Sequence, residues 1–411
     1  MIVELSPRKF AVPEFVLGSG ASGLLPGYIT RFGSKRVLLV SDEGLVKTGL
    51  VDRLVASMRG EGLIVEVYTG ISPNPRSAEV RNGAAVYEEK GCEVIAAAGG
   101  GSVMDAAKGI GFMATNKRDI LSFEGIDEVE LPGPPLICIP TTSGTAADIS
   151  QFAVINDTDR RTKIAIVSKK AIPDVALIDP DVTVTMSPEL TAATGMDALT
   201  HAFEAHVSRA ASPVCAVQAL KAVSLCGQYL KRAVRDGKDQ EARNGMTMAS
   251  LFAGMAFSNA GLGAVHALAH PLGGQLDLPH GICNALLLEQ VCAYNYPDAP
   301  AGYGELARSL AEGLCADGFC AQGLCAGGDE NVKREAESVL RSKESPDADA
   351  LLGLLAGLRS GLPLPKGLGE AGLSSEHIPE LARKAWMDAC LVTNPRKPDG
   401  KDLEALYARS L

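Results

Sequence analysis

The chain has 411 residues, of which 46% are hydrophobic, and this composition is that of a globular protein too long for one ordinary core. Its formal net charge of −10 argues against nucleic acid as the main partner. The first residues contain no signal-peptide pattern, and the apolar runs are too short to span a membrane. We therefore expect a cytoplasmic protein without membrane contact, with its ten cysteines reduced.

Short apolar runs rich in β-branched residues alternate with helical stretches in the first part of the chain. The predicted strands are 37–40, 64–68, 94–98, 136–140 and 175–178, and 77–90 is a predicted helix. This alternation predicts an α/β domain with a parallel sheet covered on both faces. The strand pattern ceases after Thr185, and Ser187-Pro188 is typical of a helix start. We expect an α/β nucleotide-binding domain over residues 1–185 and an all-helical metal-binding domain over 186–411.

Two glycine-rich segments compete as the binding site for a cofactor pyrophosphate. Residues 18–23 match the G-x-G-x-x-G fingerprint, but Pro26-Gly27 shortens any helix that follows. The alternative for this segment is a tight turn that needs glycine. The second segment follows the apolar run 94–98 and opens a helix, so its backbone amides can hold phosphates. We favour the second segment, which consists of Gly99, Gly100, Gly101 and Ser102.

Polar residues follow two more of the predicted strands. Asp42 ends the strand at 37–40, where a carboxylate can bind the adenosine ribose and repel a 2′-phosphate, which favours NAD over NADP. A common turn residue explains Asp42 equally well. Thr141, Thr142 and Thr145 follow the strand at 136–140, a position that suits a nucleotide cleft.

An acid and four of the six histidines fall at metal-ligand spacings in the second half. They are Asp197-x3-His201, His266-x3-His270 and His280. Two helices, each contributing one face, and a loop histidine can surround a divalent cation. Because His270 precedes Pro271, we expect the helix to end there, which makes His266 the better ligand. His270 is then available for proton transfer.

Residues 244–307 contain neither lysine nor arginine but include several large apolar residues. A charged substrate near the metal would need a cation. We therefore expect a small, largely neutral and partly apolar substrate.

The segment 313–349 departs from the surrounding helical pattern. It contains Cys315, Cys320 and Cys325 among glycines, followed by a charged run. A thiol switch or an auxiliary metal site is one interpretation, and a surface insertion with incidental thiols is the one we favour.

Several motifs together resemble those of the iron-containing (group III) alcohol dehydrogenases, most closely the lactaldehyde reductase and propanediol dehydrogenase branch. They appear in order over nearly the whole chain. The motif segments are 99–108, 140–145, 193–201, 263–273, 279–284 and 393–396.

The resemblance implies a dehydroquinate synthase-like architecture with the active site between the two domains, and a homodimer or higher oligomer. It implies Asp197, His201, His266 and His280 as metal ligands and His270 as the histidine near the nicotinamide. It also implies cofactor contacts for Asp105, Asn74 and Lys163, besides the glycine, threonine and Asp42 positions above. Residues implied to line the substrate cleft are Phe152, Phe257, Leu262 and Cys390.

The expected function is metal-dependent hydride transfer between NAD and small primary alcohols, diols or aldehydes. Three imidazoles and one carboxylate suit Fe(2+) and Zn(2+) alike. One alternative is an enzyme on the related fold that acts on a polyol or phosphorylated substrate, as in glycerol dehydrogenase or dehydroquinate synthase. The other is a non-catalytic thiol or metal sensor.

Overall fold

The computed structural model of the chain describes residues 7–160, 162–316 and 327–411, so Cys320 and Cys325 lie outside the described residues. The first half contains nine strands within these ranges. They are β1 Glu14–Leu17, β2 Arg36–Val40, β3 Ile64–Tyr68, β4 Val94–Gly99, β5 Gly125–Ile126, β6 Leu136–Pro140, β7 Phe152–Asp157, β8 Thr162–Val167 and β9 Val175–Ile178. The helices of this half are α1 Leu25–Arg31, α2 Glu43–Val46, α3 Leu50–Gly60, α4 Ser77–Glu89 and α5 Gly101–Asn116.

Six strands form one parallel sheet in the order β1-β9-β6-β4-β2-β3. This sheet contains all five predicted strands and adds β1 at one edge. A second sheet has the order β5-β8-β7, in which β7 and β8 form an antiparallel hairpin that the sequence pattern did not predict.

Each face of the six-stranded sheet carries its own apolar core. On β2, Leu38 and Val40 pack in one core with residues of α4 and α5. Val37 and Leu39 point the other way, into a core with α1 and α3. Because successive strand residues alternate between faces, a strand buried on both sides is continuously apolar, as predicted.

The second half is helical from Pro188 onwards among the described residues. Its helices are α6 Pro188–Val207, α7 Pro213–Arg235, α8 Gln240–Ala260, α9 Ala264–Leu276, α10 His280–Asn295, α11 Pro300–Cys315, α12 Gly327–Arg341, α13 Ala348–Arg359, α14 Ile378–Trp386 and α15 Gly400–Arg409. Ser187 caps α6 as predicted, because its hydroxyl accepts from the Leu190 amide. No single described helix is long and apolar enough to cross a membrane, and α8 and α9 pass that test only as a pair bent by 103°.

The glycine segment at 18–23 forms a turn, the alternative that we considered for it. Gly18 and Gly20 have φ values of 147° and 79°, which favour glycine. The amides of Gly20 and Ser22 each donate to the Asp179 carboxylate at 3.1 Å. These two donors are therefore used within the fold.

The prediction that a helix ends at His270 is wrong. Helix α9 continues through Pro271 to Leu276. Proline removes one hydrogen bond and crowds the preceding turn, but the turn is held from outside, since the Tyr407 hydroxyl donates to the Leu268 carbonyl at 2.6 Å. Burial of Leu268 and Leu272 also stabilises the helix here, so tertiary packing outweighs the local preference.

Helices α6 and α10 cross at a distance that only glycine allows. A Cβ atom added to Gly281 would lie 2.1 Å from the Ala193 carbonyl oxygen of α6. This crossing brings the start of α10 beside Asp197 in the middle of α6.

We predict that Gly281→Ala lowers the free energy of unfolding by about 1–3 kcal/mol, because the methyl group forces the two helices apart. The measurement is denaturant unfolding. Gly27→Ala, in α1, is the matched control, because a Cβ atom there has no neighbour within 4 Å. An equal loss in both variants would show that the crossing is not tight.

Candidate metal and cofactor site

Four predicted metal ligands come together between three helices. Oδ1 of Asp197 lies 3.9 Å from Nε2 of His201 and 4.0 Å from Nε2 of His280. The ligand atoms of Asp197, His201 and His266 all lie within 4.8 Å of one another. His280 is the first residue of α10, so the expectation of a loop histidine is wrong. The helix begins directly after Pro279, which the spacing alone did not indicate.

The cluster fits a divalent cation by its chemistry. Burial lowers the pKa of His201 to about 4 and that of His266 to about 3, so both rings are neutral at pH 7 and can act as ligands. Two donors bound to one ion at about 2.1 Å can be at most about 4.2 Å apart, and the separations of Asp197 from His201 and His280, 3.9 and 4.0 Å, satisfy this limit. The buried Asp197 carboxylate gains a compensating charge when such an ion is present.

Glu204 is a residue of the candidate site that our sequence interpretation missed. Its Oε2 accepts from Nδ1 of His266 at 2.6 Å, and its Oε1 accepts from the Val265 amide at 2.6 Å. The first contact fixes the ring so that Nε2 faces the cluster. Metal-binding histidines usually donate their second N–H in this way. The spacing could have revealed it, because Glu204 lies three residues after His201 on α6.

His270 lies beside the cluster but has a different partner. Its Nδ1 is 2.7 Å from Oδ2 of Asp388, and its ring stacks on that of His280 with a centroid separation of 5.3 Å. Burial would raise the pKa of Asp388, but the adjacent His270 holds it at about 2. With Asp388 accepting from Nδ1, Nε2 of His270 is available as a proton acceptor. Asp388 was also missed, and no short-range pattern links the two residues.

The predicted cofactor residues lie where three neighbouring strands of the main sheet end. Strands β2, β4 and β6 are neighbours, and Asp42, Gly99–Ser102 and Thr141–Thr145 follow their carboxyl ends. A Cβ atom added to Gly100 would lie 3.3 Å from the Thr142 side chain. One added to Gly101 would lie 2.9 Å from the Thr145 side chain. The glycines thus keep a narrow gap open at the amino end of α5, where free amides can receive a pyrophosphate.

The remaining cofactor candidates have partners within the protein. Asp42 caps α2, because its Oδ1 accepts from the Leu45 amide at 2.9 Å. Asp105 accepts from the Val154 amide of β7 at 3.1 Å, and burial raises the pKa of Asp105 to about 6. These contacts show structural roles, and the cofactor roles stay predictions.

Lys163 connects the two halves of the protein. Its ammonium donates to Oδ1 of Asn74 at 2.7 Å, and Nδ2 of Asn74 donates to Asp277, just after α9, at 2.8 Å. Burial lowers the pKa of Lys163, whereas the nearby Asp277 and Asp197 carboxylates raise it. The α/β half therefore supplies a cation near the cluster, although residues 244–307 contain no lysine or arginine. The absence of basic residues from that segment thus does not exclude a charged substrate.

Apolar residues of both halves lie beside the ligand cluster. Phe257 stacks on His201 with a centroid separation of 4.2 Å, and Phe152 lies 5.8 Å from Phe257. The Leu262 carbonyl accepts from the Thr393 hydroxyl in the turn that also contains Cys390. His270, Asp388 and Cys390 place a nitrogen, an oxygen and a sulfur within 4.8 Å of one another.

Comparison with known families covers nearly the whole chain. The profile described as iron-containing alcohol dehydrogenase matches residues 13–180, and its C-terminal counterpart matches 191–325 and 329–411. The chain belongs to the iron-containing alcohol dehydrogenase family. The expected family membership, architecture and reaction class, an oxidoreductase of alcohols and aldehydes, are thereby confirmed.

Individual relatives agree with this membership. The chain is 38% identical over 405 residues to alcohol dehydrogenase 4 of Schizosaccharomyces pombe, covering 98% of this chain and 89% of the relative. It is 37% identical to 1,3-propanediol dehydrogenase of Klebsiella pneumoniae, covering 92% of each. It is 36% identical to lactaldehyde reductase of Escherichia coli strain K12, covering 95% and 96%.

Solved structures of the family share the fold. A 1,3-propanediol oxidoreductase matches with a TM-score of 0.88 and 34% identity, covering 99% of this chain and 100% of that one. Sulfoacetaldehyde reductase of Bifidobacterium kashiwanohense, solved with NAD+, matches with a TM-score of 0.83 and 27% identity, covering 98% and 99%.

We predict that His266→Ala removes most of the bound metal and lowers kcat by more than about 100-fold. Loss of a residue that only hydrogen-bonds a metal ligand costs up to about 100-fold, and loss of a ligand itself should cost more. Metal per chain is measured by mass spectrometry. The control is His206→Ala on α6, since His206 pairs with Glu305 instead of the cluster. Retention of one metal per chain by His266→Ala would contradict the assignment.

Proposed function

We propose that the protein is an NAD-dependent, divalent-metal enzyme that interconverts small primary alcohols or diols and the corresponding aldehydes. The observation that carries this proposal is the cluster of one carboxylate and three neutral imidazoles, all buried except the partly exposed His280, next to side chains of the α/β half. The residues proposed for the cofactor follow the carboxyl ends of β2, β4 and β6, and the hydrogen bonds from Lys163 to Asn74 and from Asn74 to Asp277 reach the end of α9. The proposed domains are residues 1–185 and 186–411.

Each group of residues has a distinct role in this proposal. When bound, a divalent cation would polarise the substrate oxygen and NAD would exchange the hydride. Asp197, His201, His266 and His280 would hold the cation, as Fe(2+) or Zn(2+). Phe152, Phe257, Leu262 and Cys390 would exclude water and contact the carbon chain of the substrate.

Proton transfer is assigned to His270. Its Nδ1 is held by Asp388, so its Nε2 can accept the hydroxyl proton and pass it towards solvent. The side chain of His270 is 13% exposed, whereas that of His266 is 1% exposed, and His270 is therefore the better placed of the two for exchange with water.

The neighbouring glycines, threonines and lysine are assigned to the cofactor. Gly99, Gly100, Gly101 and Ser102 would receive the pyrophosphate, with Asp105 behind them in α5. Thr141, Thr142 and Thr145 would contact the adenosine half, and Asn74 with Lys163 the nicotinamide half. We further propose a cytoplasmic homodimer or higher oligomer.

The function is tested with anaerobically metal-loaded protein, NADH and a panel of short aldehydes from acetaldehyde to lactaldehyde. We expect turnover of these two- and three-carbon aldehydes, and we expect it to depend on the loaded metal. Sulfoacetaldehyde belongs in the panel because Lys163 brings a cation near the cluster. Absence of turnover with every aldehyde, despite one bound metal per chain, would contradict the proposal.

Asp42→Gly is predicted to improve the use of NADP relative to NAD, because a repulsive charge and a ribose hydrogen bond are both removed. The ratio of kcat/KM for the two cofactors should change by about tenfold or more, equivalent to about 1.4 kcal/mol. Glycine is tolerated as a helix cap, so α2 should persist. Asp42→Asn is the matched control for the charge alone. An unchanged ratio in the glycine variant would assign Asp42 to helix capping only.

His270→Gln should keep the metal and the affinity for cofactor but lower kcat and alter the pH dependence of turnover, because glutamine cannot carry the proton. Steady-state kinetics from pH 6 to 10 and metal analysis measure these effects. A fall in metal content as large as that of His266→Ala would make His270 a ligand. A wild-type kcat and pH profile would make it a packed histidine only.

A further inference from the structure

Asn284 occupies a central position in the ligand cluster. It lies one turn after His280 on α10, and it is fully buried. Its Nδ2 atom donates to Oδ1 of Asp197 at 2.6 Å. The same nitrogen lies 3.2 Å from Nε2 of His266 and 3.3 Å from Nε2 of His280. One amide group thus contacts three of the four proposed ligands.

These contacts determine which way the amide points. With oxygen and nitrogen exchanged, the amide oxygen would face the Asp197 carboxylate oxygen at 2.6 Å, and two acceptors would repel each other. The donor must therefore face the cluster. Its two N–H groups can serve Asp197 and one imidazole at a time, and each such contact requires an unprotonated Nε2 atom facing the centre.

The other end of the amide has no matching support. Oδ1 of Asn284 is buried and has no hydrogen-bond partner among the described residues. Buried polar atoms are normally paired, so an asparagine chosen for packing alone would be replaced at little loss by an apolar residue. Packing therefore does not explain this asparagine, and the contacts of its N–H groups with the proposed ligands do.

A second asparagine on the same helix shows the contrast. Asn295 is also buried, and its amide exchanges hydrogen bonds of 3.0 and 2.8 Å with the amide of Asn394. Both ends of the Asn295 side chain are satisfied away from the ligand cluster. Asn295 is therefore a structural asparagine, and Asn284 is not explained in that way.

We propose that Asn284 is a positioning residue of the metal site. In the ion-free site it holds Oδ1 of Asp197 and donates to Nε2 of either His266 or His280, so that these ligand atoms face one point. An ion that binds there would take over the imidazole lone pairs, and the hydrogen bond to Asp197 would remain. This inference rests on the proposed metal-dependent function. It assigns to Asn284 control over metal affinity and coordination geometry and no contact with the substrate.

The test measures binding of Co2+ to the metal-free full-length protein in competition with a chelator, together with the visible absorption spectrum of bound Co2+. Asn284→Leu, of similar volume, should weaken affinity by about 10–100-fold, the usual effect of losing an outer-shell partner. The absorption bands should shift, because Asp197 is no longer held. Asn284→Ala is measured in parallel and should show the same loss of affinity. It replaces the leucine variant in the test if that variant folds poorly.

Asn295→Leu is the matched control. It removes a buried amide from the same helix and should lower the melting temperature while leaving Co2+ affinity and spectrum unchanged. Wild-type affinity and spectrum in both Asn284 variants would overturn the positioning role. Failure of the unmodified protein to bind one Co2+ per chain would overturn the metal site itself, and with it the proposed function.

Discussion

Burial of the proposed metal ligands, next to side chains of the α/β half, is the constraint on which the rest of the structure depends. The Asp197 carboxylate and the His201 and His266 imidazoles are removed from water, so they must be neutral, paired or bound to a cation. The low pKa values of His201 and His266 express that burial. Glu204 and Asn284 supply polar contacts that the interior otherwise lacks. Helix α6 is also packed closely on its other side, since a Cβ atom added to Gly195 would lie 2.2 Å from Leu230 of α7.

The α/β half presents the loops that follow the carboxyl ends of its parallel strands. Parallel strands bring their carboxyl ends together, so loops distant in sequence share one rim. The β7–β8 hairpin adds Phe152 and Lys163 from a different direction. In the proposed function the α/β half would bind the cofactor and the helical half the metal, and Lys163 reaches the helical half through Asn74 and Asp277.

Much of this arrangement could be predicted from the sequence. Continuous apolar runs identified the strands because both faces of the sheet are covered, and the hydroxyl-proline pair at Ser187 marked the first helix of the second half. The i, i+4 spacing placed Asp197 and His201 on one face because a helix fixes that geometry.

Other features depend on contacts that a linear pattern does not contain. Helix α9 passes Pro271 because Tyr407, far along the chain, binds the turn before it. Asp388 meets His270 across 118 positions. The β7–β8 hairpin was missed because its residues are less uniformly apolar, one face of each strand being only half-buried.

The loop at Gly18–Gly23 carries a wider consequence. Its letters match a dinucleotide fingerprint, yet Asp179 already supplies the anion for two of its amides. A carboxylate held within the same fold has an effective concentration of about millimolar or above. A free phosphate must displace this carboxylate before it can bind the same amides. The loop binds an anion of its own protein, the Asp179 carboxylate. Backbone amides without a partner, rather than the spacing of glycines, therefore distinguish a cofactor-binding loop from a structural one here.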